Sequence, residues 1–372
     1  MSVLAVSCLW GSVGVLGVLV SMALFNLLTA PRMHQGKHSA FQPAVSLLIP
    51  LRNEAHHVRE LIQALKRVEY APLEILLLDD ASTDTTQAVL REEATAQMQV
   101  LAGEPLPEEW VGKSWACHQL AQKATGEILI FCDADVRMSA SSVQHTVDWL
   151  EHTQSGAVTG LPLQVFGSWF EAAVIPFIMQ LPIAGLVPLR FLSYSRRPSL
   201  VVANGQWFAF TRAAYEASGG HENAEVKNTV LEDMALGRAV VRAGFSVQPL
   251  VATHDLKVRM YDSWKALESG FTKNLYLLCG GNRVAVILVM SFSALAYGMP
   301  LVLALQEVPW AGLAVGLLLL LRGLVGVLFK TGFQSLLFHP LGAALYGYLL
   351  MRSWAAQSFI KTSWKGRPVL AS

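Results

Sequence analysis

Residues 1–31 and 284–306 contain no Asp, Glu, Lys or Arg at all. Each is long enough to cross the hydrocarbon core of a bilayer, which takes about 20 apolar residues as a helix. Outside residues 32–283 the chain has one acid, Glu307, and six bases: Arg322, Lys330, Arg352, Lys361, Lys365 and Arg367. Of 28 bases and 27 acids, 22 and 26 therefore fall in the middle block. A slightly acidic, water-soluble block flanked by apolar ends is the only arrangement this charge distribution allows. With no basic excess, nucleic acid is not an expected partner.

The first apolar stretch lacks the basic start of a cleaved signal, and Arg32 and Lys37 follow it. It reads as an uncleaved anchor with the middle block on the cytoplasmic side, by the positive-inside rule. Residues 284–306 and 308–329 make two further spans around Glu307 and Pro309, with Arg322 inside the third. Residues 331–360, interrupted by His339-Pro340, are a possible fourth. One span followed by three would leave the basic tail outside, whereas its charge favours the inside. The expected organisation is an anchor at 1–31, a water-soluble domain at 40–260, an amphipathic interface helix at 261–282, two or three C-terminal membrane helices within 283–360, and a basic tail at 361–372. The protein is expected in the cell membrane as a multi-pass protein. Cys8, Cys117, Cys132 and Cys279 form no paired or zinc-like spacing, which suits a reducing compartment.

Within the middle block, apolar runs alternate with helical patterns. Val45–Ile49, Leu73–Leu78, Met98–Ala102 and Ile128–Cys132 read as buried strands. Ala55–Val68, Thr83–Glu93 and Gly112–Ala124 read as helices, the second capped by Ser82 or Thr83. Such alternation predicts an α/β, Rossmann-like parallel sheet covered by helices, with ligands at the carboxyl ends of the strands. Polar clusters sit at those ends. Pro50-Leu51-Arg52-Asn53-Glu54 follows the first strand, and Asp79-Asp80-Ala81-Ser82-Thr83-Asp84 ends the second. Asp133-Ala134-Asp135 follows the fourth. On an extended chain alternate residues face the same way, so Asp133 and Asp135 could share one divalent cation. Each cluster alone is better explained by turn and capping chemistry. Three at adjacent strand ends are not.

Taken together, Val45–Glu54, Asp79–Asp84, the D-x-D at Asp133/Asp135 and Glu232-Asp233 resemble glycosyltransferase family 2, with the GT-A fold, over about residues 44–260. Asn204–Arg212 and Ser218-Gly219-Gly220 resemble the segment that precedes the Glu-Asp pair. The resemblance implies a nucleoside diphosphate sugar as donor, UDP-sugar being the first choice, and Mg²⁺ or Mn²⁺ as cofactor. It implies Pro50 and Glu54 in the nucleoside pocket, Asp80 on the base, Asp133 and Asp135 on the metal diphosphate, and Asp233 as general base beside Glu232, with inversion at the sugar. A hydroxyl attacking in one displacement needs one well-placed base, and adjacent carboxylates raise one another's pKa. Alternatively, Glu232 and Asp233 simply favour a helix N-terminus.

Trp110–Cys117 is similar to the membrane-bound subset that glycosylates carotenoids and hopanoid-related lipids, which places Lys113, at a helix start, near the donor. His254 is a candidate third metal ligand, because a late His completes the metal site in some GT-A enzymes; a satisfied loop residue is the alternative. Two apolar segments point to a lipid acceptor. Phe170, Val174, Phe177, Ile178 and Leu181 follow helical spacing, interrupted by prolines at 162, 176, 182 and 188. Met260, Trp264, Leu267, Phe271 and Leu278 make a second stripe. Both suit either the bilayer interface or a domain core. No Trp is preceded by Arg, so the Arg-Trp motif of processive synthases is missing and a single transfer is expected. A carotenoid or other terpenoid is the first acceptor. Polyprenyl-phosphate or other cell-envelope lipids come second, and a polysaccharide synthase comes last. A dead nucleotide-binding scaffold need not keep Asp80, Asp133, Asp135 and Asp233 together, and a transporter would need more spans.

Overall fold

The computed structural model describes residues 2–37 and 41–359 and the short strands Ser363–Trp364 and Arg367–Pro368; the rest of the expected basic tail lies outside the described residues. The chain divides into two units. One comprises residues 31–163 and 191–258 with 363–372; the other comprises residues 1–30, 164–190 and 259–362.

The first unit is built on a seven-stranded sheet. Its strands are β1 (Val45–Leu51), β2 (Leu73–Asp79), β3 (Met98–Ala102), β4 (Ile128–Cys132), β6 (Ala157–Leu161), β7 (Trp207–Thr211) and β8 (Val247–Val251), in the order β3-β2-β1-β4-β7-β6-β8. A separate antiparallel ladder joins β5 (Val136–Met138) to β9 (Leu256–Val258). Leu47, Leu48 and Ile49 of β1 and all of β4 are buried, as expected of strands covered on both faces. The expected parallel sheet is found in β3-β2-β1-β4. Beyond β4 it is mixed, because β7 runs antiparallel to both β4 and β6. Trp207–Phe210 is buried at every position, so the run has no alternation to signal which way it pairs.

The second helix of this unit differs from expectation. It spans Thr86–Glu93 rather than starting at Thr83, and neither Ser82 nor Thr83 caps it. Asp84 Oδ1 accepts from Thr86 N at 2.9 Å and Asp84 Oδ2 from Ala55 N at 3.2 Å. Ser82 Oγ instead accepts from Asn53 N at 2.9 Å, and Asn53 Oδ1 from Thr83 N at 2.7 Å. The loops after β1 and β2 are thus bonded to each other. Asn53 sits in the left-handed region (φ 54°), which Asn tolerates better than most residues.

In the second unit, among the described residues, four helices are long and apolar enough to cross a membrane: Val3–Thr29, Trp169–Leu186, Arg283–Leu305 and Ala311–Phe329. This makes the chain compatible with a membrane protein. Trp169–Leu186 was not among the expected spans, and the helix His339–Phe359, within the possible fourth at 331–360, is not among these four. The prolines do not break Trp169–Leu186 into pieces, because a π turn at Pro176–Gln180 absorbs the lost hydrogen bond. Val3–Thr29 is anchored by two polar side chains. Ser12 Oγ donates to Leu295 O at 2.8 Å. Asn26 Nδ2 donates to Ala184 O and Val187 O, and its Oδ1 accepts from Leu189 N. Arg322 faces other helices: it donates to Ser335 O, and its guanidinium lies 5.3 Å from the centre of the Phe177 ring. The helix Trp264–Leu278 lies along His339–Phe359, with Leu267 and Phe271 buried and Leu278 exposed. Ser353 Oγ donates to Thr272 O and accepts from Tyr276 N.

Candidate active site

Strands β2 and β3 lie on one side of β1 and β4 on the other, so the strand order reverses between β1 and β4. In open α/β sheets that reversal opens a crevice at the carboxyl ends of the strands. Here β1 pairs with β4 from Val45/Ile128 only to Leu48/Phe131, while its ladder with β2 continues to Leu51/Asp79. Pro50 lies past the last β4 pair, where its missing N–H costs that ladder nothing. Glu54 precedes the helix Ala55–Leu65, and its N–H donates to Thr86 Oγ1 at 2.8 Å. Asp80 is buried at the end of β2. The Arg52 guanidinium donates to the Asp80 and Ala81 carbonyls and stands 3.9 Å from the Asp80 carboxylate. Sequence reasoning gave Arg52 and Asn53 no role of their own, although both stood in the polar run after β1.

Asp133 and Asp135 do not lie on an extended chain. Val136 N donates to Asp133 O at 3.2 Å, closing a turn over the motif. The turn still gathers negative charge. The Asp135 carboxyl is pushed up to about 7, first by burial, then by Asp133 and Glu54. Asp133 is raised too, first by burial, with Lys113 pulling the other way. Asp135 Oδ1 is buried and has no hydrogen-bond partner. An orphaned hard oxygen in a surplus of carboxylates is the donor set that suits an oxygen-seeking divalent cation.

The reversed strand β7 completes the site. Since Cys132 pairs with Trp207, the loop entering β7 arrives beside the turn leaving β4. Asp133 N donates to Gln206 O at 3.3 Å. Gly205 N donates to Asp233 Oδ2 at 2.9 Å, and Met234 N donates to Asp233 Oδ1 at 2.7 Å. Glu232 and Asp233 open the helix Glu232–Arg242, where carboxylates oppose the positive end of the dipole. Lys113, in the first turn of Gly112–Lys123, joins the two halves. Its ammonium is 2.8 Å from Asp133 Oδ1 and 3.0 Å from Glu232 Oε1. Burial disfavours that charge, but the two carboxylates outweigh it and hold the pKa well above the ordinary value. The Asp233 carboxyl is pushed up to about 6, first by burial and then by Glu232.

Glu54, Lys113, Asp133, Asp135, Glu232 and Asp233 are therefore brought into one electrostatic cluster. His254 is not brought to it. The ladder pairs Val258 with Val136 and Leu256 with Met138, which carries residue 254 away from Asp135. His254 stands instead with His34 and Asp255.

Gly205 has a specific reason to be glycine. A Cβ there would meet Lys113 Nζ at 3.0 Å. Gly205→Ala should push the ammonium off its two partners by a few tenths of an ångström. The expected result is a loss of roughly tenfold in kcat at unchanged thermal stability, given that an ångström of misplacement can cost about a hundredfold. Steady-state kinetics beside a melting curve would check this; full activity would show that the lysine's placement does not matter.

Residues 46–218 match the family model described as Glycosyl transferase family 2. The 4,4'-diaponeurosporenoate glycosyltransferase of Staphylococcus aureus (strain MRSA252) is 25% identical over 372 residues, covering 95% of this chain and 96% of that protein. The enzyme of the same name from Staphylococcus haemolyticus (strain JCSC1435) is 26% identical over 268 residues, covering 69% of this chain and 70% of that one. Among solved structures, the mannosyltransferase PcManGT from Pyrobaculum calidifontis, in complex with GDP-Man and Mn²⁺, superposes with a TM-score of 0.58 at 18% identity. That match covers 95% of this chain and 98% of that one, and it shows a shared fold.

Proposed function

Since the chain belongs to glycosyltransferase family 2 and has its GT-A fold, we propose that it transfers one sugar, with inversion, from a nucleoside diphosphate sugar to a membrane lipid. The donor of first choice is a UDP-sugar, and the acceptor of first choice is a carotenoid or another terpenoid, in line with relatives named for 4,4'-diaponeurosporenoate. The observation that carries this reading is the Lys113 bridge. One ammonium holds Asp133, on the donor side, and Glu232, next to the acceptor-side Asp233.

In this reading Pro50, Glu54 and Asp80 line the nucleoside pocket, and Arg52 holds the Asp80 loop in place. Asp133 and Asp135 would hold Mg²⁺ or Mn²⁺, which when bound neutralises the diphosphate as it leaves. Lys113 supplies a fixed positive charge beside the same diphosphate and offsets the repulsion between Asp133 and Glu232. Asp233, aimed by Gly205 N–H and Met234 N–H, takes the proton from the attacking hydroxyl, and a pKa near neutrality suits a base that must also let the proton go. The terminal helices and Trp169–Leu186 seat the protein in the cell membrane, with the catalytic unit on the cytoplasmic face. The domain limits 40–260 then take in the catalytic block together with the apolar helix Trp169–Leu186 inserted in it, and 261–282 a helix bordering the bilayer.

Membranes containing the protein, incubated with radiolabelled nucleotide sugars and terpenoid alcohols or acids, should yield labelled lipid on extraction. Label in polyprenyl-phosphate lipids instead would redirect the acceptor, and label in polymer would refute single transfer. No label from any donor would overturn the proposal. The pH profile has a defined sign. Asp233 works as a carboxylate, so kcat/KM should fall tenfold per pH unit below about 6. Removing the neighbouring charge with Glu232→Gln should move that limb to lower pH, and a profile flat down to pH 4 would exclude Asp233 as the titrating base.

A further inference from the structure

We propose that His34, His254 and Asp255 form a second metal site, separate from Asp133/Asp135, that takes a zinc-like cation. One ligand atom from each of the three lies within 4.8 Å of the others. The His34 and His254 rings stand 4.8 Å apart between centroids. Tetrahedral zinc at about 2.0–2.1 Å from each donor needs donors about 3.3 Å apart, so the site closes by up to about 1.5 Å. His254 is well exposed and its ring can make that movement.

Asp255 supplies the strongest argument. Its side chain is fully buried, and its two oxygens differ. Oδ1 accepts from His145 Nδ1 at 2.7 Å and from Ser139 Oγ at 3.4 Å. Oδ2 is buried with no hydrogen-bond partner. Leaving a carboxylate oxygen unpaired inside a protein is costly, and native structures rarely do so without a ligand. A carboxylate fixed through one oxygen by a neighbouring imidazole also has the outer-shell support that metal ligands usually carry.

The backbone holds the donors together without help from an ion. Val251 N donates to Pro31 O at 2.8 Å, and Arg32 bridges Val251. Trp149 Nε1 donates to Arg32 O and Met33 O. His34 is therefore docked at the end of β8, and the loop that follows β8 carries His254 and Asp255. Residues more than 200 apart in sequence meet over a pinned scaffold. An ion here would clamp the segment that follows the first apolar helix to the edge strand of the sheet. The two sites differ in ligand chemistry. Two imidazoles and one carboxylate suit zinc over magnesium, whereas the all-carboxylate Asp133/Asp135 pair suits Mg²⁺ or Mn²⁺.

The test uses the full chain in detergent, stripped with a chelator and dialysed against buffered Zn²⁺ in excess Mg²⁺, with bound zinc measured by mass spectrometry. Wild type should retain one zinc per chain. His34→Gln and His254→Gln should each lose it. His145→Ala should weaken binding by about tenfold or more, as outer-shell changes do. Asp135→Asn should keep the zinc, and X-ray absorption of the bound ion should show two imidazole nitrogens. Wild type that retains no zinc overturns the proposal. So does zinc lost from Asp135→Asn but kept by His34→Gln, which would make His254 a ligand of the sugar-nucleotide metal.

Discussion

Asp233→Asn should lower kcat by about 10²–10⁴-fold with a hydroxyl acceptor, the range that a positioned general base contributes. The donor KM should hardly move, because the proposed role of Asp233 is toward the acceptor hydroxyl. Asn keeps the size of the side chain but has one oxygen where Asp233 uses two, for Gly205 N–H and Met234 N–H. A melting curve must therefore accompany the kinetics. The choice of acceptor sharpens the result. A hydroxyl has to lose its proton during attack, whereas a carboxylic acid is already ionised near neutral pH. A terpenoid alcohol and a terpenoid acid, compared in the same preparation, should lose rate very differently. Small and equal losses with both would remove Asp233 from the role of base.

Asp135→Asn should abolish metal activation and cost about 10²–10³-fold in turnover, the equivalent of several kcal/mol of charge stabilisation. Chelation should bring wild type down to the same level and leave the variant where it is. A variant with an unchanged Mn²⁺ or Mg²⁺ dependence would rule out Asp135 as a ligand. The metal-free protein should respond in the opposite direction. The Asp135 pKa rises from an ordinary 3.8 to about 7 in the folded chain. The unfolded chain then loses this proton first, so Asp135 costs stability increasingly from about pH 4 to 7 and fully above 7. Asp135→Asn removes that cost. Without metal, its melting temperature at pH 8 should equal or exceed that of wild type; with metal the order should reverse.

Local patterns were enough to read the part of the candidate site carried by β1 to β4. Those strands are apolar runs of strand length, and polar residues at their ends meet in the crevice. The part carried by the loop before β7 and by Glu232-Asp233 was less legible for reasons that are not local. Trp207–Phe210 is buried on both faces, so its reversed direction leaves no trace in its periodicity; that direction is what puts Gly205 and Gln206 beside Asp133. Lys113 was expected near the donor, yet its contact with Glu232 joins residues 119 apart in sequence, and no spacing rule encodes it. Asp133-Ala134-Asp135 was read as extended because a strand precedes it, whereas a turn closes over it one residue later. In the apolar helices, Asn26 was the one side-chain amide in an uncharged run, and three backbone partners from a distant segment explain it. Pro176 looked like a helix breaker because sequence shows the lost hydrogen bond but not the π turn that absorbs it.

The interruption of the catalytic unit between residues 163 and 191 bears on how the protein can be made. β6 lies before the interruption, and its sheet neighbours β7 and β8 lie after it. Removing residues 1–30 and everything past 258 would still leave Trp169–Leu186, an 18-residue apolar helix, in the middle of the remaining chain. Trimming the ends should thus fail to give a water-soluble enzyme, and a polar linker in place of 164–190 is the cut to try. The order of synthesis carries the same constraint. The ribosome delivers Trp169–Leu186 before Gly205, Glu232 and Asp233 exist, so the sheet cannot be completed until that apolar helix has left the ribosome.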